Sequence, residues 1–190
     1  MIIKKILILG STRLTEQVVR VLYNKYELVG FVPSKNPTIE GVIDLPEVSI
    51  NHECDIKLSI QYDKMVRDTR NAFNIHTGLL PNYGGTNILD YTLKNKEYEQ
   101  GMTFHKMTEK LDYGPIISKI SYPVLKGDRT IDLYKRLFSI IPSFALSSLK
   151  LLENLDYQDI IQCNQQEPKI YKRGEFELNQ EMKDLKNDRN

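Results

Sequence analysis

Long apolar runs are missing from this chain of 190 residues, so no segment reaches the roughly 20 residues that a bilayer-crossing helix needs. Cysteine is scarce. Cys54 and Cys163 stand alone with no Cys-x-x-Cys pair, which leaves no disulfide framework and no thiolate metal site. Both read as reduced packing residues of a cytosolic, cytoplasmic protein. Charge of one sign is missing too: 26 Lys and Arg against 25 Asp and Glu leave a net charge of +1, so no global field marks a nucleic-acid binder. The loop after the first apolar run, Gly10-Ser11-Thr12, has one glycine where a dinucleotide fingerprint needs three, which argues against a nicotinamide cofactor. Internal repeats and low-complexity segments are absent as well.

What is present is an ordinary globular balance, 41% hydrophobic and 27% charged, enough for one well-cored domain. That domain is expected over 1–173, with a polar tail over 174–190. Met1 to Gly10 superficially resembles a signal peptide, but it is short and has no cleavage site. Its β-branched and leucine run, Ile2 to Leu9, reads better as a strand buried on both faces. Thr15 to Lys25 then carries Val18, Val19, Leu22 and Tyr23 at helical spacing, and Leu28 to Val32 is a second strand. This β-α-β opening predicts an α/β fold: a Rossmann-like, mostly parallel sheet flanked by helices.

Pro33 to Pro46 is a loop, Ile56 to Ile60 a third strand, Asp63 to Asn71 a short polar helix and Phe73 to His76 a fourth strand. Asn87 to Lys96 reads as helical. Gly101 to Met107 and Ile116 to Val124 form a hairpin-like antiparallel pair, and the turn between them holds Asp112 and Gly114. Asp128 to Asn154 is the longest helix, capped by Asp128 or Thr130 and kinked or split at Pro142.

The chemistry concentrates in one stretch. Asn74 and His76 stand two apart, on one side of a strand if that segment is extended. A carboxylate, Asp112, follows on a glycine-containing turn. A carboxamide, an imidazole and a carboxylate are the parts of a site that stabilises an oxyanion and moves a proton. The same residues are also what ordinary turns contain. His105, in mid-strand, is equally a half-buried structural histidine, and His52 a surface one. Lys169, Lys172 and Arg173 around Tyr171 make a basic cluster of the kind that usually faces solvent. Gly10, Ser11 and Thr12, at a helix N-terminus, suit a phosphate or a plain turn.

The order of the motifs adds a resemblance. Asn-Ile-His-Thr-Gly-Leu-Leu-Pro-Asn-Tyr-Gly-Gly, then Gly-Met-Thr-Phe-His-Lys-Met, then Leu-Asp-Tyr-Gly-Pro-Ile-Ile, looks like the folate-dependent formyltransferase family. The match is dense from Cys54 to Gly127, looser before it and faded beyond Pro142. The family's Asn-x-His, Leu-Leu-Pro and Asp-x-Gly positions are filled here by Asn74, His76 and Asp112, and His105 matches a histidine that many members carry. Gly78 stands where most members have serine. The stretch before Asn74 is shorter than in the best-known members. The glycine-rich loop that holds a ribonucleotide phosphate in the purine enzyme is absent. The chain is too short for the extra barrel domain of the methionyl-tRNA enzyme. The compact sugar N-formyltransferases are therefore the group most resembled.

That resemblance implies a formyltransferase-type fold with an antiparallel C-terminal portion, and 10-formyltetrahydrofolate as cosubstrate with no metal. The implied acceptor is the primary amine of a nucleotide-linked amino sugar; no nucleic acid and no membrane insertion are expected, and a homodimer is. Asn74 and protonated His76 would donate to the oxyanion, while Asp112 would support the imidazole and relay a proton. The folate is expected against Ser59, Gln61, Tyr62, Met65, Lys106, Met107 and Leu111. The acceptor is expected against Gly10, Ser11, Thr12, Gly84, Gly85, His105 and Tyr83, whose ring would stack on a sugar or base. The competing readings are another formyl acceptor (glycinamide ribonucleotide or an aminoacyl group), a formyltetrahydrofolate hydrolase, and a non-catalytic folate-binding module.

Overall fold

The computed structural model describes residues 2–37, 39–162, 166–172 and 184–185. Cys163, Arg173 and most of the expected tail lie outside these; of the tail, Leu185 packs against the main core.

The first strand, β1 (Lys5–Leu9), starts later than the apolar run suggests, since Ile2 is exposed. It leads into α1 (Arg13–Leu22) and then β2 (Glu27–Val32). Thr12 caps α1 through a reciprocal box with Thr15, satisfying N–H groups that the first helical turn leaves open. Next come β3 (Ile56–Ile60), β4 (Ala72–His76), the two-residue β5 (Gly84–Gly85) and α2 (Ile88–Lys94). The long strands β6 (Glu99–Lys106) and β7 (Ile116–Pro123) precede α3 (Thr130–Glu153), α4 (Tyr157–Gln162) and the short β8 (Ile170–Tyr171).

Six strands form one sheet in the order β2-β1-β3-β4-β6-β7. The first four are mutually parallel, and β6 and β7 join antiparallel. This is the expected α/β architecture with an antiparallel later portion. The pair β5-β8 makes a separate small parallel sheet that the sequence did not signal. Among the described residues no helix is long and apolar enough to cross a membrane.

The main core joins Ile6, Ile8, Leu58, Phe73, Ile75 and Phe104 of the sheet to Leu14, Val18 and Leu22 of α1 and Ile131, Leu137 and Ile141 of α3. Leu7, Leu9, Val32 and Ala72 belong to a second, smaller cluster. Successive strand residues point to opposite faces. Once Phe73 and Ile75 pack with α1 and α3, Asn74 and His76 must face the other way.

Three expectations fail here. No helix forms between Asp63 and Asn71; the segment is turns and bends. Lys57 Nζ reaches the Asp68 carboxylate at 3.3 Å, and Lys106 Nζ donates to the carbonyls of Thr69 and Arg70 at 2.7 and 3.0 Å. These contacts satisfy the segment's polar groups from neighbouring strands, and Thr69 O also accepts the Ala72 N–H at 3.2 Å, so turns stand where a helix was expected. Pro142 does not split α3, which runs unbroken over 24 residues. Its N-cap is Arg129, whose N–H meets the Asp132 carboxylate, instead of Asp128 or Thr130.

Lys106 is buried and its ammonium pKa is lowered by desolvation. The change Lys106→Met keeps the apolar stem but removes this donor from Arg70 O and leaves Thr69 O with the Ala72 N–H alone, and should cost about 2 kcal/mol in urea unfolding. Lys57→Met should cost less, because its partner Asp68 has a partly exposed side chain.

Candidate active site

Strand register brings the carboxamide and the second imidazole together. Asn74 of β4 lies directly opposite His105 of β6. His105 Nδ1 lies 3.0 Å from the backbone carbonyl of Lys106. A carbonyl only accepts, so Nδ1 carries the hydrogen. Burial pushes the His105 pKa down to about 4, against an opposing pull from Asp112. The ring is therefore neutral near pH 7 and Nε2 offers a lone pair, which accepts an N–H from Asn74 Nδ2 at 3.2 Å. This bond fixes which way the amide points and leaves its second N–H for the cavity that Asn74 lines.

His76 is oriented by a different carbonyl. Its Nε2 donates to the backbone oxygen of Tyr83 at 2.7 Å, and its Nδ1 lies 3.6 Å from Asp112 Oδ1. The expectation that protonated His76 donates to an oxyanion would have to use Nδ1, because the Nε2 hydrogen is already committed to Tyr83 O. Thr103, paired with His76 across the sheet, donates to Gly78 O and accepts from Leu80 N–H, which pins the chain just after the strand.

Asp112 approaches from the turn between β6 and β7 with a left-handed φ of 51°. Its Oδ2 accepts the Gly85 N–H at 2.7 Å, while Oδ1 stands 3.6 Å from His76 and 3.8 Å from His105 Nε2. Gly114 lets this turn fold back on β6: a Cβ there would stand 1.6 Å from Lys106 O.

The residues converge on a cavity of about 590 Å³, a size typical of small-molecule sites. It opens beyond the C-terminal ends of β1, β3 and β4, where open α/β sheets take ligands. Of the residues expected to hold folate, Ser59, Gln61, Tyr62, Met65, Met107 and Leu111 line it. Lys106 does not; its amine is spent on the turn before β4. Of those expected to hold the acceptor, Thr12, Gly85 and His105 line it.

The others sit elsewhere. Gly10 donates its N–H to Val32 O, and Ser11 Oγ accepts the Ser34 N–H. Gly84 pairs with Ile170 in the small sheet. The Tyr83 ring does not face the cavity; it stacks on Tyr171 at 5.2 Å, and its hydroxyl donates to Glu97 at 2.5 Å. Tyr83 contributes a backbone carbonyl instead.

The sequence reading also missed walls of the cavity, among them Asn36, Pro37 and Asn87. The first two belong to a loop that only the fold brings here. Asp63 accepts the N–H groups of Lys35 and Asn36 at 2.7 and 2.8 Å, an acidic side chain gathering a distant loop. Burial acts to raise the Asp63 pKa, yet those two N–H groups hold the carboxyl below its usual range.

Residues 60–143 match the formyl transferase family, a segment that includes Asn74, His76, His105 and Asp112. This bears out the resemblance read from the sequence. The fold is that of solved formyltransferases. A sugar 3N-formyl transferase, WlaRD, solved in the presence of dTDP and 5-N-formyl-THF, superposes with a TM-score of 0.74 at 22% identity, over 91% of this chain and 71% of that one. An N-formyltransferase from Helicobacter canadensis, solved with folinic acid and dTDP-3-aminofucose, gives 0.75 at 19% identity, over 90% and 71%. Phosphoribosylglycinamide formyltransferase from Anaplasma phagocytophilum gives 0.68 at 18%, over 91% and 100%.

Among curated proteins, the bifunctional polymyxin resistance protein ArnA of Wigglesworthia glossinidia brevipalpis is 37% identical over 44% of this chain and 14% of its own. A methionyl-tRNA formyltransferase from Natranaerobius thermophilus is 30% identical over 55% of this chain and 34% of its own. The match thus spans between 14% and 34% of the length of these curated relatives.

The neutral state of His105 has a measurable cost. A histidine held neutral when folded but free to protonate near its ordinary 6.5 when unfolded makes the unfolded state bind more protons between those values. Stability from this residue is complete above about pH 6.5 and declines as pH falls toward 4. Thermal melts from pH 7 to pH 4 should therefore drop more steeply for the natural chain than for His105→Gln.

Proposed function

We propose that this protein is an N-formyltransferase that moves a formyl group from 10-formyltetrahydrofolate to the primary amine of a nucleotide-linked amino sugar. The observation that carries the reading is the convergence of Asn74, His76 and Asp112 on one cavity. No two of them are adjacent in sequence, yet all present polar atoms to one small volume.

The walls fit the donor. Met65, Met107 and Leu111 supply apolar surface, and Ser59 and Gln61 supply polar groups at the end of β3. Met65 and Leu111 are 80% and 60% exposed without a ligand, which is unfavourable surface that a flat aromatic group would cover. When bound, the folate supplies an already activated formyl carbon. The free N–H of Asn74 is placed to meet the formyl oxygen as negative charge develops there. The pair of His76 and Asp112 holds and returns the proton that the acceptor amine must lose.

The sugar acceptor is supported by two solved neighbours in complex with nucleotide-linked sugars and by a sugar 3N-formyl transferase solved with dTDP. An aminoacyl acceptor has its own support in the matches to methionyl-tRNA formyltransferases. A net charge of +1 favours the small acceptor, since a tRNA would be gripped largely through its phosphates.

Purified protein with 10-formyltetrahydrofolate and a panel of nucleotide-linked amino sugars should release tetrahydrofolate only when the right acceptor is present. Release without any acceptor would point to a hydrolase, and folate binding without release to a binding module. Asn74→Ala should lower turnover by about a hundredfold while leaving folate affinity nearly unchanged.

A further inference from the structure

Asparagine is among the best helix N-caps, because its side chain can accept a backbone N–H of the first turn. Asn87 stands at the N-cap of α2 and does not do this. Its backbone is left-handed, with φ 56° and ψ 32°, and no side-chain cap bond forms. Thr12, at the start of α1, shows the ordinary arrangement: φ −89°, ψ 169° and a complete capping box. A cap residue serves its helix from an extended backbone; from a left-handed one the carboxamide is turned elsewhere. Here Asn87 lines the cavity.

The chain on either side holds that direction. Gly85 N–H is bonded to Asp112 Oδ2 at 2.7 Å and Thr86 N–H to Tyr171 O at 3.0 Å. Asn87 O accepts the Tyr91 N–H at 3.1 Å, and Ile88 is buried with Tyr83 and Tyr91. Asparagine tolerates the left-handed region better than most residues, which accounts for the residue type but not for the unused side chain.

Most other polar side chains of the cavity are occupied within the protein. Thr12 Oγ1 is engaged with Thr15, Asn74 gives one N–H to His105, and Asp63 accepts two backbone N–H groups. Among the described residues the Asn87 carboxamide has no hydrogen-bond partner. Asn36 and Thr86 also line the cavity, but both are exposed, whereas Asn87 is half-buried. A half-buried carboxamide gives up water without replacement, a cost that a hydrogen-bonding ligand would return.

Position separates that ligand from the folate. Met65, Met107 and Leu111, the apolar surface that fits the donor, follow β3 and β6. Asn87 follows β5 instead. It stands two residues from Gly85, so its Cα lies within about 7 Å of the residue whose N–H holds Asp112. A side chain that near the reacting amine meets the atoms beside it. A carboxamide both donates and accepts, and so does a hydroxyl.

We propose that Asn87 is a specificity-determining residue, whose carboxamide hydrogen-bonds a hydroxyl beside the amine of the acceptor sugar. This rests on the formyl-transfer reading above. The contact selects among acceptors and takes no part in moving the formyl group.

Asn87→Gly removes the carboxamide and leaves a residue at ease at positive φ. No cap bond is lost, so its thermal midpoint should match that of the natural chain. With the best acceptor of the nucleotide-linked amino sugar panel, the acceptor KM should rise about tenfold while folate KM and kcat hold. The counterpart of that acceptor lacking the hydroxyl beside the amine should lose about tenfold with the natural chain and nothing further with Asn87→Gly. An unchanged acceptor KM overturns the inference. So does a folate KM that rises with it, which would put the side chain on the donor, or a deoxy counterpart discriminated equally by both proteins. A natural chain that transfers no formyl group to any sugar sinks the proposed function instead. Ligand-observed NMR with the same sugars then reads the contact without turnover. Weaker binding to Asn87→Gly keeps the inference, and equal binding, or none to either protein, overturns it.

Discussion

A buried carboxylate organises this molecule. Asp112 is 8% exposed, and a charge held that far from water must be met by donors or by opposite charge. The donor comes from Gly85 in β5 and the prospective positive charge from His76 at the end of β4. Segments that share no local sequence are thus forced to meet at one point. The sheet supplies the rigid frame, and the carboxylate decides which loops close over its edge.

The small sheet of β5 and β8 extends that logic. Gly85 presents its N–H to Asp112 while Thr86 N–H and Gly84 N–H are held by Tyr171 O and Lys169 O. Tyr171 packs against both Tyr83 and Tyr91, at 5.2 and 4.3 Å between ring centroids. A short segment near the end of the described chain therefore fixes both the carbonyl that holds His76 and the amide that holds Asp112. Rotamers and backbone locked in this way hold the side chains of the site in one geometry.

The two histidines show how one residue type acquires two roles. Both meet a backbone carbonyl, but through opposite ring nitrogens: Nδ1 for His105 and Nε2 for His76. The first ring is left as an acceptor, which aims the Asn74 amide. The second is left with an open Nδ1 beside a carboxylate. The distinction lies in which carbonyl is within reach: that of the next residue, Lys106, for His105, and that of Tyr83, seven residues on, for His76.

Composition and period indicated the α/β class, the parallel opening and the antiparallel pair, and the family resemblance pointed to the trio Asn74, His76 and Asp112. These are local or nearly local properties: a run of β-branched residues has one comfortable conformation, and alternation in β4 sends neighbouring side chains to opposite faces. Tertiary structure alone decided the rest. The turn over 63–71 is set by lysines reaching from other strands, the wall at Asn36 by a carboxylate remote in sequence, and the role of Tyr83 by its carbonyl instead of its ring. Every residue carries the same backbone C=O, and all but proline the same N–H, so a sequence cannot say which of them will be pressed against a given side chain; only packing assigns that.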